Sequence, residues 1–87
     1  MQGKRLIFGV HLTNRMNEAP RVQQLFTDYG CYIRTRVGLH NVDESYCSSR
    51  GLILLEMFGD EAKCQELSAK LLEITGVEVQ QMDFCCA

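Results

Sequence analysis

One pattern, a short strand, a helix and a second strand, runs through this chain twice and leaves few residues outside it. The alternation and helical spacing predict Arg5–Thr13, Glu18–Tyr29 and Cys31–Gly38 for the first unit. They predict Gly51–Phe58, Asp60–Ile74 and Val77–Phe84 for the second. The order βαββαβ is the split βαβ, or ferredoxin-like, arrangement. It predicts an α+β sandwich: a four-stranded antiparallel sheet with two helices on one face. The expectation is a single domain over 1–87, with its core in about 4–84.

The individual segments carry their own signals. In the first strand Leu6, Phe8, Val10 and Leu12 fall on one face, with Ile7, Gly9 and His11 on the other. The first helix is expected to open after Asn17 as N-cap, with Glu18 in its first turn and Pro20 close to the start. Val22, Leu25, Phe26 and Tyr29 make its apolar stripe, and Gly30 is expected to end it in a left-handed conformation. Asp60 caps the second helix, Cys64, Leu67, Leu71 and Ile74 line its buried side, and Gly76 separates it from the last strand.

In the second strand simple alternation puts Cys31, Ile33, Thr35 and Val37 on one side and Tyr32, Arg34 and Arg36 on the other. The third strand is apolar on both faces, with Ile53, Leu55 and Met57 against Leu52, Leu54, Glu56 and Phe58. A strand of that kind belongs in the middle of a sheet. Two helices with one stripe each cover one face, so the other face is expected to be open. Ile7, His11, Leu52, Leu54 and Phe58 are expected at its centre, with Tyr32, Arg34, Arg36 and Glu56 among or beside them. An exposed apolar surface of this sort marks an association site, and the chain is expected to be a homo-oligomer, a dimer or a tetramer, joined through it.

Composition removes other functions. The chain has 87 residues, is 46% hydrophobic and 23% charged, and has a formal net charge of −2. Proteins that bind duplexes concentrate Lys and Arg to displace counterions, so direct nucleic-acid binding is not expected. The apolar run after Met1–Arg5 is broken by Gly9, His11, Asn14 and Arg15, so a strand is expected there rather than a signal-peptide core or a membrane span. The expected compartment is the cytoplasm, where the five cysteines, Cys31, Cys47, Cys64, Cys85 and Cys86, stay reduced. Cys64 reads as core, and Cys85 and Cys86 as incidental terminal thiols.

Leu39–Arg50 is the one connection longer than a tight turn. It holds His40, Asp43, Glu44 and Cys47. A nitrogen and a thiolate suit zinc, nickel or copper, so His40 and Cys47, with His11 as a third ligand, are the metal candidates. The competing reading is ordinary loop chemistry, with His11 a hydrogen-bonded interface residue. No phosphate loop, dinucleotide fingerprint, paired-carboxylate motif or nucleophile-base pair is present, so catalysis is not expected and no cofactor is assigned. An acylphosphatase-like enzyme would use an Arg in a phosphate cradle after the first strand. Thr13–Arg15 offers the Arg without the glycines.

Four stretches carry a family resemblance: Lys4–Val10 (KRLIFGV), Leu25–Gly30 (LFTDYG), Tyr32–Gly38 (YIRTRVG) and Ile74–Val79 (ITGVEV). Together they resemble the regulators of the iron-only hydrogenase system. Those are small ferredoxin-like proteins related to ACT domains and to the C-terminal domain of the nickel-responsive repressor. The resemblance covers residues 4–84 and implies a cytoplasmic, non-enzymatic, oligomeric regulatory domain. A small-molecule effector or a metal is expected where subunits meet, near Thr13–Arg15 and Arg36–His40. The chain differs from the repressor in lacking its ribbon-helix-helix segment and its paired His-x-His, since Arg36 and Gly38 flank Val37.

Overall fold

The computed structural model describes residues 4–13, 16–39 and 51–85. Its elements run β1 (Lys4–Leu12), α1 (Ala19–Asp28), a short 3-10 turn (Gly30–Tyr32), β2 (Ile33–Leu39), β3 (Gly51–Met57), α2 (Glu61–Leu72) and β4 (Val77–Cys85). The strands form one sheet in the order β2-β3-β1-β4, and every neighbouring pair is antiparallel. The fold is the α+β sandwich that the repeat predicts. β1 and β3, one from each repeat, take the two central places, while β2 and β4 form the edges.

A single core lies between the sheet and the helices. Leu6, Phe8, Val10 and Leu12 from β1 meet Ile53, Leu55 and Met57 from β3. Val22, Leu25 and Phe26 of α1 and Cys64, Leu67 and Leu71 of α2 close over them, so both helices cover the same face. Cys64 is fully buried among apolar side chains, as its place on the stripe predicts, and that burial pushes its thiol pKa up. Tyr29 links the helices. Its hydroxyl donates to the Glu66 carboxylate, and the Lys70 ammonium lies 5.5 Å from its ring centroid.

The two helix starts differ in chemistry. Asp60 caps α2 with its side chain, accepting from the Ala62 amide at 2.9 Å. At α1 the N-cap is Glu18 and not Asn17, and its side chain makes no capping bond. The shift follows from Met16, which is buried in the core while its amide donates to the Thr13 carbonyl at 3.1 Å. This turn carries the chain inward, and Arg21 then makes its first helical bond to the Glu18 carbonyl.

Gly30 is a second correction. It does not adopt positive φ; α1 ends with the Tyr29 amide donating to Leu25, and the chain continues into the 3-10 turn. Gly76, by contrast, has φ +82° after α2, in the region that favours glycine. Its carbonyl accepts from both the amide and the hydroxyl of Thr13, at 2.9 and 2.7 Å.

The largest departure from simple alternation is in β2. Ile33 pairs with Met57, but Thr35 pairs with Glu56, so one extra residue, Arg34, is inserted as a bulge. A one-residue shift exchanges the two faces of a strand. Ile33 therefore packs against the core, whereas Thr35 and Val37 turn to the open side, and Val37 is 44% exposed. Arg36 passes to the helix side, where its guanidinium sits 4.7 Å from the Phe26 ring centroid and donates to Gln23 at 3.0 Å.

Candidate association surface

The face of the sheet away from the helices is built from alternate residues of all four strands, and the pairing register arranges them in rows. One row reads Thr35, Glu56, Ile7, Met82. The next reads Val37, Leu54, Gly9, Gln80. Beyond it, Leu52, His11 and Glu78 lie side by side. At the opposite end Arg5 pairs with Phe84, and Phe58 follows the end of β3.

Apolar side chains occupy the middle and two diagonal corners. Ile7, Leu52 and Leu54 are half-buried by their neighbours, while Val37, Met82 and Phe84 are exposed, the last two at 49% and 51%. Polar side chains occupy the other two corners and are paired within the subunit. Arg5 Nη2 donates to Glu56 Oε2 at 2.6 Å, and the Thr35 hydroxyl donates to the other carboxylate oxygen at 3.3 Å. The Arg5 hydrogen bond holds the Glu56 carboxyl below the usual carboxylate range, against a smaller opposing effect of burial. At the far corner His11 Nδ1 lies 2.7 Å from Glu78 Oε1. The surface thus offers an apolar centre, with Arg5–Glu56 and His11–Glu78 hydrogen-bonded within the subunit at two of its corners.

The residues singled out from sequence divide between two places. Ile7, His11, Leu52, Leu54 and Glu56 come together on this face. Arg34 and Phe58 sit at its end as a pair, the guanidinium 5.4 Å from the ring centroid, and Phe58 is 39% exposed. Tyr32 does not join them. It packs beside the core, 6.5 Å from the Tyr29 ring, because the 3-10 turn precedes the strand it was expected to occupy.

Sequence reasoning missed Arg5, Val37, Met82 and Phe84. The alternation of Glu78, Gln80, Met82 and Phe84 carried the signal for β4, but only pairing of β4 with β1 shows which half meets Ile7.

Of the metal candidates, His11 is engaged by Glu78 on the open face, while His40 and Cys47 lie outside the described residues. Among the described residues no group of three or more His, Cys, Asp or Glu side chains is arranged to hold a metal ion. Cys31 and Cys85 are exposed free thiols. Among the described residues no helix is long and apolar enough to cross a membrane.

Element order, antiparallel pairing and one-sided helices define a small α+β domain of ferredoxin-like fold. Neither a protein-family model nor a curated protein matches the sequence. Among solved structures, the uncharacterized protein TM1266 from Thermotoga maritima has a similar fold, with a TM-score of 0.75 at 28% identity, over 93% of this chain and 98% of that one. The similarity therefore extends over nearly the whole of both chains.

Proposed function

We propose that this chain is a cytoplasmic, non-enzymatic regulatory or sensory domain that self-associates through its open sheet face. The observation that carries the reading is the character of that face: an apolar centre whose flanking polar side chains, Arg5 with Glu56 and His11 with Glu78, are hydrogen-bonded to each other within the subunit. A second copy can cover the apolar centre while these polar side chains keep their partners within the subunit. Strands about 4.8 Å apart and rows about 6.8 Å apart give four strands by four rows a projected area of roughly 500 Å² per subunit. Two such faces with their relief reach the roughly 1,000 Å² expected of a specific interface.

A regulatory role linked to the iron-only hydrogenase system is what the resemblance over residues 4–84 implies. The chain's similarity to TM1266 along almost its full length supports the same compact, single-module architecture. Effector binding belongs at the boundary between subunits, near the ends of β1 and β2 at Leu12 and Leu39. Size-exclusion chromatography with light scattering tests the association. A dimer or tetramer that Leu54→Asp converts to monomer is the expected result, and a strict monomer at high micromolar concentration refutes it.

A further inference from the structure

Gly9 occupies the middle of the open face on a central strand, where a glycine is a liability. It contributes no side chain to the sheet and weakens a strand through backbone entropy. Neither of the usual internal reasons applies. Its φ is not among the positive values of this chain's glycines. A Cβ added at Gly9 would meet only the Leu54 Cδ2 and the Gln80 carbonyl oxygen, both at 3.9 Å, which is ordinary van der Waals contact. The subunit has room for a methyl group there and the backbone would accept it.

The consequence of the missing side chain lies outside the subunit. Ile7 and His11 flank Gly9 along β1, and Leu54 and Gln80 stand opposite it on the adjoining strands. Together they rim a shallow depression at the centre of the face. We infer that this depression receives an aliphatic side chain from a second copy of the chain and sets the register in which two sheets stack. The inference rests on the self-association proposed above.

The face supplies its own knob. In a face-to-face pair the two-fold axis lies between the sheets. An axis along the strands carries β3 of one copy over β1 of the other and brings Leu54 onto Gly9. An axis across the strands, through the centre of the face, brings Ile7 there. Each solution places an aliphatic group of one copy in the hole of the other, twice per dimer. The internal repeat is the reason, because it sets Leu54 in β3 and Ile7 in β1 at equivalent places around the centre. A different protein would gain nothing from this equivalence.

The test compares wild type with Gly9→Ala, Gly9→Val and Leu54→Asp in the full chain. Dissociation constants come from sedimentation velocity, and subunit stability from urea unfolding at high dilution. Leu72→Ser, on the exposed side of α2, is the control. Gly9→Ala is expected to unfold at a urea concentration no lower than wild type. It should associate more weakly by about tenfold, equal to ~1.4 kcal/mol and near the low end of what overpacking costs, with Gly9→Val weaker still. Leu72→Ser should associate like wild type.

If Leu54→Asp dissociates the oligomer but both Gly9 variants bind within about twofold of wild type, the hole is not used and this inference falls while the open-face reading stands. A lower unfolding midpoint, or failure to fold, for Gly9→Ala would show that the glycine serves the subunit itself and would also overturn it. A strictly monomeric wild type removes both readings together.

Discussion

Leu54 and Leu55 are adjacent in β3 and chemically identical, yet the structure assigns them opposite duties. Leu55 is fully buried between the sheet and the helices, while Leu54 is half-buried on the open face. Truncating Leu55 to Ala removes three carbon groups from a packed interior, or ~2.4 kcal/mol of transfer free energy at ~0.8 kcal/mol per group. The cavity left behind raises the total to about 3–4 kcal/mol. A domain of this length has roughly 4–13 kcal/mol of stability, so the variant keeps only part of it. With a urea slope of ~1 kcal/mol/M, the midpoint should fall by about 3 M.

Leu54→Ala leaves no closed cavity in the monomer, because solvent reaches that face, and should cost the subunit about 1 kcal/mol or less. Its main effect should be on self-association. The assay is urea unfolding at high dilution, where oligomer formation adds nothing to the apparent stability, paired with light scattering at high concentration. Equal losses of subunit stability in the two variants would refute the assignment of faces. So would a Leu55→Ala midpoint that stays near wild type.

The two helix starts should respond differently. Asp60→Ala removes the side-chain cap of α2 and should cost ~1 kcal/mol, lowering Tm by about 4–8 °C, whereas Glu18→Ala, which loses no capping bond, should stay within about 0.5 kcal/mol by thermal unfolding. The Glu56 carboxyl titrates below its ordinary value in the folded state because Arg5 donates to it. Its stabilising effect should therefore be complete above the unfolded carboxyl pKa of ~4.3 and be lost as pH falls through the depressed folded value. Arg5→Met should be less stable than wild type near neutrality and converge with it in acid, as read by unfolding across that pH range. For the metal candidates, titration with nickel, zinc and copper should distinguish wild type from a His40→Ala/Cys47→Ala variant; equal binding by both would remove these residues from any site.

Periodicity alone was enough for the element order, for the face of each helix, and for the buried set on β1 and β3, since each depends on local spacing. Asp60 was readable as a cap for the same reason. Asn17 was not, because the start of α1 is decided by where Met16 is buried, which is a tertiary contact. Ile7, His11, Leu52, Leu54 and Glu56 share the open face through the β1–β3 register. Tyr32 and Arg36 did not, and the cause is the bulge at Arg34 together with the 3-10 turn before it.

By itself the sequence determined that this chain folds as two strand-helix-strand units with an apolar sheet face left over by the helices. Side-chain spacing in strands and helices is a local property, so no partner had to be known. The composition of that face was decided only in three dimensions. A one-residue bulge leaves the pattern of apolar and polar residues unchanged while reversing which side each one faces. The register of β4 against β1, which brings Met82 beside Ile7, and the reach of Arg5 to Glu56 are likewise properties of strand pairing. Long-range hydrogen bonding, and not local preference, places Arg5 beside Glu56 and His11 beside Glu78 on the open face.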